Sequence, residues 1–279
     1  MSAAAGGTRV VIPIHDGYET LAPCLASVAD TLPDGVEVEL VDDASRDARV
    51  AELLACTGDR PRWRVERQAR NLGFVATVNA AFARTRGDVL LLNSDTVVTQ
   101  GWYQRIVDCA ASDRRIATVT PFSNNAEICS LPEFCRANPM PDDPERIARA
   151  VREAGAPDYP ELPTAVGFCM LVRRAALEAI GDFDAATFGA GYGEENDFCL
   201  RAQAHGWRNV LCDDAYVAHV GGQSFGALGQ RSGGENLARL VARYPHYNAL
   251  VAEYIAADPL APRRARIGAH LRQLDGSAT

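Results

Sequence analysis

The sequence predicts an α/β protein with a mostly parallel central sheet flanked by helices, one globular unit of two abutting halves with a helical C-terminal tail. Three observations carry that reading. Short apolar runs alternate with helical periodicity from Val10 to about Thr99, and alternation at this spacing builds βαβ units. Several of those runs end abruptly in carboxylates or amides, as parallel strands do where they open into a ligand crevice. Finally, 279 residues with 47% hydrophobic and 23% charged side chains suffice for a sizeable core and argue against disorder.

The elements follow in order. "VVIPI" at 10–14 reads as a strand, and "YETLAPCLASVADTL" places Leu21, Leu25, Val28 and Leu32 on one helical face. Asp16 and Glu19, three apart, resemble a capping box with Asp16 as the cap. "VEVELVDD" and "RWRVERQ" read as strands, "FVATVNAAFART" as a helix stopped by Gly87, and "DVLLLN" as strand again. Residues 123–163 carry seven of the fifteen prolines, interrupted by the helical "PERIARAVREAG"; such irregular segments usually shape a binding surface. Regular structure resumes with "AVGFCMLVRRAALEAIG", a buried strand feeding a helix that Gly181 ends. The glycine-rich "FGAGYG", the acidic helix start "EENDFCLRAQAHG" and the strands "NVLCD" and "AYVAHVGG" come next, and from Gln230 the tail is helical.

Composition excludes several functions. A formal charge of −8 argues against a nucleic-acid partner. The chain has no lysine, which removes both a P-loop and Schiff-base chemistry. Its eight cysteines form no C-x-x-C pair, so they are expected to be buried thiols in a reducing cytosol, with no disulfide framework or zinc site. "MSAAAGGTRV" lacks a signal peptide's apolar core, and no window reaches the length of a membrane span. The expectation is a soluble, cytoplasmic protein.

Three polar clusters lie at strand ends in the first hundred residues: Ile14-His15-Asp16, Asp42-Asp43 and Asn93-Ser94-Asp95. A turn or helix cap is the commoner reading of each alone. If the strands run parallel, however, all three face one crevice. No G-x-G-x-x-G follows the first strand, so the dinucleotide fingerprint is absent. Carboxylates repel bare phosphates unless a divalent cation intervenes, and Mg²⁺ takes carboxylate oxygen together with substrate phosphates. Asp95 therefore reads as a metal ligand bridging to a diphosphate, and Asp42 or Asp43 as an acceptor for a base or ribose.

At this point the residues carry a resemblance. "VVIPIHDGYETLAPCLASV", "VELVDDASRD", "NLGF", "GDVLLLNSDTVV", "GFCMLVRR…IGDFD", "GYGEENDFCLRA" and "AYVAHVGG" are similar, in that order, to the motif series of family-2 glycosyltransferases of the GT-A fold. The nearest branch resembles bacterial rhamnosyltransferases and related polysaccharide transferases. The match spans about residues 9 to 225, and its specificity lies in order and spacing. It implies a hexosyl- or deoxyhexosyl-type inverting transfer from a nucleotide-diphospho-sugar to the hydroxyl of a saccharide, natural product or lipid-linked glycan. Asn93-Ser94-Asp95 falls on the D-x-D motif, whose last Asp binds Mg²⁺ or Mn²⁺ with the diphosphate; Asn93 replaces the first Asp and is assigned to donor ribose or sugar. Asp42 and Asp43 fall on the nucleoside-binding pair, the backbone at Ile14 on the base-contacting turn, and Asn71 on the N-x-G turn beside the nucleotide. His15 and Asp16 stand where the family usually has an aromatic and an Asn. Glu194 and Glu195 fall on the family's acidic series, Glu195 on the general base, and His219 on a further metal contact.

The chemistry is coherent without the resemblance, since one-step inversion needs a carboxylate opposite the leaving diphosphate to take the acceptor proton, and the leaving group needs a Lewis acid. Acidic residues also open helices simply because they complement the N-terminal dipole, and Asp197 reads as a helix-turn partner. The expected organisation is a nucleotide-sugar-binding half at 9–100, an acceptor-binding and catalytic half at 101–228, and a tail at 229–279. A sugar nucleotidylyltransferase would need a basic, glycine-rich start with a lysine, and a non-catalytic nucleotide-sugar binder is the other alternative. The tail's "PRRARIGAHLRQL" offers a peripheral contact with an anionic inner membrane face; a solvated terminal helix is its plainer reading.

Overall fold

A computed structural model describes residues 7–57, 60–189, 191–221 and 234–276. The first half is built as its alternation predicts: β1 (Arg9–Ile14), α1 (Tyr18–Thr31), β2 (Val38–Asp42), α2 (Ala48–Thr57), β3 (Trp63–Arg67), α3 (Phe74–Arg84) and β4 (Val89–Leu92). Then come β5 (Thr96–Val98), α4 (Trp102–Ser112), β6 (Ile116–Phe122), a 3₁₀ turn at Glu127–Cys129 and α5 (Pro144–Glu153). The chain continues through β7 (Cys169–Val172), α6 (Arg174–Ile180), α7 (Ala185–Phe188), α8 (Glu194–Ala204) and β8 (Arg208–His219). Three tail helices follow: α9 (Glu235–Arg243), α10 (Tyr247–Ala257) and α11 (Ala261–Gly276). The expected boundary near residue 228, the tail start at Gln230 and the second glycine of "VGG" lie outside the described residues.

The eight strands form one sheet in the order β3-β2-β1-β4-β7-β6-β8-β5. β1, β2, β3 and β4 pair in parallel, as does β6 with β8. β7 runs antiparallel to both β4 and β6, and β5 antiparallel to β8. The sheet is thus mixed, and its parallel character is concentrated in the first half. "NVLCD" and "AYVAH" are one continuous strand: a register shift opposite Pro121 and Phe122 absorbs the polar residues between them.

Helices cover both faces, so the strands are apolar on both sides. Val10, Ile12, Ile14, Leu90 and Leu92 point to the face packed by α1, α2 and α4. The intervening Val11, Val89 and Leu91 meet Val75, Val78, Phe82 and Phe198 of α3 and α8 on the other. Phe82 is fully buried and stacks edge-on to Phe183 at 5.2 Å; truncating such a ring typically costs about 3–5 kcal/mol.

Two local expectations are corrected. The N-cap of α1 is Gly17, in the left-handed conformation and without a side-chain cap. Asp16 instead accepts from the Arg46 and Asp47 amides, and Glu19 pairs with Arg49, because the β2–α2 loop offers unpaired N–H groups at that place. The tail is not a solvated helix. Arg263 is buried and donates to the Val151, Ala154, Gly155 and Ala156 carbonyls at the end of α5, satisfying carbonyls that a helix terminus leaves open. Arg266 donates to Ala154 as well, and Arg264 lies over the Phe134 ring while pairing with Asp258. Two of the four arginines of that stretch, Arg263 and Arg264, are therefore held within the fold, while Arg266 stays exposed. Among the described residues no helix is long and apolar enough to cross a membrane. All eight cysteines are free, six of them buried and Cys56 and Cys135 exposed.

Candidate functional site

Two polar clusters form at the carboxyl edge of the sheet. The first lies at the ends of β1 and β2. The Ile14 carbonyl accepts from Asp43 N, and His15 Nδ1 donates to the Asp43 carbonyl at 2.9 Å. Asn71 Nδ2 lies 3.1 Å from His15 Nε2. The Asp43 carboxylate accepts from the Leu72 and Gly73 amides that open α3, at 2.7 and 2.9 Å. Asp42 is wholly enclosed; its two oxygens accept from Ser45 N and from Arg67 at 2.8 and 2.7 Å. The Asp42 side chain expected to face a nucleoside is thus buried, while His15 and Asn71, together with the half-exposed Arg67, stand at the surface of this cluster.

The second cluster is a cavity of about 190 Å³ between β4, β8, the start of α8 and the turn after β6. It brings together Asn93, Asp95, Glu194, Glu195 and His219, five of the residues singled out in the sequence. β4 ends at Leu92, so the next residues leave the sheet at its open edge, and antiparallel pairing of Thr96 with His219 sets Asp95 beside His219. Their facing atoms, Asp95 Oδ1 and His219 Nε2, are 3.3 Å apart.

That contact has a direction. His219 Nδ1 donates to the Asn125 carbonyl at 2.7 Å, which leaves the Nε2 lone pair aimed at a carboxylate. Asp95 Oδ2 accepts from Gly221 N, whereas its buried Oδ1 has no hydrogen-bond partner. Lone pair against carboxylate is favourable only with a proton or a cation between them. Burial pulls the His219 pKa down, but the Asp95 carboxylate and the Asn125 carbonyl outweigh it, and the net shift is upward. The same geometry suits a divalent ion: an imidazole oriented by a backbone carbonyl and an orphaned carboxylate oxygen. Among the described residues no three His, Cys, Asp or Glu side chains converge as a complete ligand set, so an ion here would draw its remaining ligands from substrate or water, as Mg²⁺ does at phosphate sites.

The carboxylates of α8 are set by the glycine loop before it. Gly193 has φ 104°, and a Cβ there would stand 3.0 Å from the Phe188 ring; glycine alone permits that turn. Glu194 is buried, with Oε2 unpartnered. Burial, and then the neighbouring Glu195 charge, push its carboxyl well above the usual range. Glu195 is half-buried against Gly167, receives the Gly193 amide at 3.3 Å, and is raised mainly by burial. Asp197, expected to be a turn partner, is a buried hub: it accepts from Arg201 on its own helix and from Arg243 and Tyr244 of the tail. Asn236 of α9 donates to Phe188 and Gly191 carbonyls, so the tail anchors the loop that leads into Glu194 and Glu195.

Several residues of the site escaped sequence reading. Asn124 receives the His219 amide and donates to its carbonyl. Phe168 stacks on the His219 ring at 5.1 Å. A Cβ on Gly221 would fall 2.1 Å from Asn125 Nδ2. Glu127 lines the cavity with a left-handed backbone, φ 47°, a conformation that disfavours side chains by about 1–2 kcal/mol. The signal for Asn124, Asn125 and Glu127 is present in the sequence: "SNNAE" follows the β6 run "TVTPF" just as "NSD" follows "VLLL".

Comparison with known proteins fits this layout. The family model described as "Glycosyl transferase family 2" matches residues 9–181. An uncharacterised protein of Mycobacterium tuberculosis is 27% identical over 223 residues, 79% of this chain and 77% of that protein. Among solved structures, GalNAc-T7 with UDP, GalNAc and Mn²⁺ superposes with TM-score 0.66 at 18% identity, over 94% of this chain and 54% of that one. The present chain thus spans about half of that protein. The mannosyltransferase PcManGT of Pyrobaculum calidifontis, in complex with GDP-Man and Mn²⁺, gives 0.56 at 14% identity, over 98% and 76%. At these identities the two structures speak to the fold, which is GT-A-like.

Proposed function

This chain belongs to glycosyl transferase family 2, and from that premise we propose that it moves a sugar from a nucleotide-diphospho-sugar to an acceptor hydroxyl by a single inverting displacement. The observation that supports this best is that Asp95, His219 and Glu195 line one cavity at the carboxyl edge of the sheet. In this reading Glu195 takes the acceptor proton as the hydroxyl oxygen forms its bond to the anomeric carbon. The bond to the diphosphate oxygen breaks on the opposite face, and the nucleoside diphosphate departs with the electron pair. Asp95 and His219 would hold Mg²⁺ or Mn²⁺, which supplies Lewis-acid neutralisation of the leaving group. Asn93, at the rim, hydrogen-bonds donor ribose or sugar, and His15, Asn71 and the Ile14 backbone frame the base above the Asp42–Asp43 pair. Glu194 stands behind Glu195 and keeps it oriented.

We assign residues 9–100 to donor binding, 101–228 to acceptor binding and catalysis, and 229–279 to a tail that braces α8. The motif series favours a hexosyl or deoxyhexosyl donor, a rhamnosyltransferase-like branch, and a role in polysaccharide biosynthesis on the cytoplasmic side. A raised Glu195 pKa keeps the base partly protonated below its titration. The acid limb of kcat/KM should therefore lie above the ordinary glutamate value of about 4.3. Glu195→Gln should retain nucleotide-dependent thermal stabilisation with Mn²⁺ and lose transfer by about 10²–10⁴-fold. Near-normal turnover would refute the base assignment, and nucleotide binding by the wild type without transfer or donor hydrolysis would favour a non-catalytic binder.

A further inference from the structure

The cavity is more acidic than a diphosphate-handling site requires. Four carboxylates, Asp95, Glu127, Glu194 and Glu195, line it against one imidazole. The chain has 28 basic residues, all arginine, yet among the described residues none lines this cavity. A divalent ion at Asp95 and His219 would be offset by the donor diphosphate it binds, so among the described residues no basic side chain of the lining is left to pair the three glutamates. Glu194, 3% exposed, leaves Oε2 without a hydrogen bond, and such a buried orphan marks a missing partner. Glu127 opens to solvent from the turn after β6, while Glu195 sits on α8 against Gly167. Besides the amides of Asn93 and Asn125, the wall offers Phe74, Val166, Phe168 and Tyr192, a surface suited to the face of a sugar ring or cyclitol.

We propose that the acceptor carries a protonated amine beside the reacting hydroxyl, with Glu127 as the specificity-determining carboxylate that pairs the ammonium while Glu195 faces the hydroxyl. The inference rests on the glycosyl-transfer reading above and adds the acceptor's chemical class. An amine held on the rim compensates the acidic lining, whereas an acceptor with a phosphate near its reacting end would meet like charge.

The test uses three β1,4-linked disaccharides of one shape: the diamine of glucosamine, its N,N′-diacetyl form, and cellobiose. Binding to the full chain is measured by calorimetry at a pH where the amines are protonated. The diamine should bind about tenfold more tightly than either neutral sugar, in keeping with a hydrogen bond between charged groups. Glu127→Gln should bring the preference to within about twofold, while Glu52→Gln, an exposed carboxylate on α2, should keep it. Equal or absent binding of the diamine, a preference that survives in Glu127→Gln, or one lost in Glu52→Gln as well, would overturn the proposal. A parallel thermal-shift screen of UDP, GDP and dTDP with Mn²⁺ separates the two readings. Nucleotide stabilisation without amine preference defeats the acceptor class alone, and absent nucleotide stabilisation defeats the transfer reading beneath it.

Discussion

The two polar clusters at the sheet edge share residue types and differ in how they are satisfied. At the ends of β1 and β2, every oxygen of Asp42 and Asp43 accepts a hydrogen bond from this chain: Ser45 and Arg67 for one, the α3 amides for the other. At the end of β4 and the start of α8, Glu194 Oε2 is buried and has none, and Asp95 Oδ1 is buried with only the His219 ring nitrogen, 3.3 Å away, facing it. Buried polar atoms cost about 1–3 kcal/mol when left unpaired, so a fold tolerates them where something else arrives. The comparison separates carboxylates that the chain itself satisfies from carboxylates that it leaves unsatisfied.

If that division holds, the same substitution to alanine gives opposite signatures at the two clusters. Asp95→Ala should cost the larger effect, in function. Loss of several kcal/mol of charge stabilisation on the leaving group corresponds to a fall of about 10³ in kcat/KM. The stabilisation of the protein by UDP or GDP should cease to depend on Mn²⁺, while the melting temperature without ligand stays close to wild type. An Asp95→Ala protein whose nucleotide affinity responds to chelator as the wild type does would break the assignment.

Asp43→Ala should be read mainly in stability. It leaves the Leu72 and Gly73 amides at the head of α3 without their acceptor. A loss of about 2 kcal/mol is expected in urea unfolding, the range for a helix-terminal acceptor combined with a buried unmade hydrogen bond. A stability loss below about 0.5 kcal/mol, with a large rise in donor KM, would move Asp43 from scaffold to ligand.

The sequence exposed the two clusters unequally, for physical reasons. Strand ends in the parallel half were legible because each β–α step is local: "VVIPI", "VELVDD" and "VLLLNSD" carry their own period and stop. Asp95, Glu194, Glu195 and His219 could be named in advance, yet their meeting in one cavity rests on β5 pairing antiparallel with β8 over more than a hundred residues. No local pattern encodes that pairing. The antiparallel β7 was hidden for the same reason, because "CMLV" is buried on both faces and its period says nothing of direction. Asp16 failed as a cap because a tertiary acceptor need, at the Arg46 and Asp47 amides, competed with the local one. Arg263 looked like surface charge because its partners, the carbonyls ending α5, lie more than a hundred residues away.

The smallest effect expected is also the sharpest test of what an orphaned carboxylate does. Glu194 is raised well above the ordinary glutamate pKa by burial and by Glu195. A folded-state pKa above the unfolded one means that the native protein holds the proton more tightly. The stability linked to this group is therefore fully present below the unfolded value and is lost as pH rises through the folded value. Glu194→Gln removes that titration. With no metal or nucleotide added, the variant should match the wild type at acid pH and exceed it by about 1 kcal/mol, or roughly 2–4 °C in melting temperature, at mildly alkaline pH. Asp43→Ala, at a carboxylate whose oxygens are already paired, should show no such gain at any pH. A Glu194→Gln protein less stable than the wild type at alkaline pH would mean that the charged carboxylate is satisfied in the native state, and the contrast between the two clusters would lose its basis.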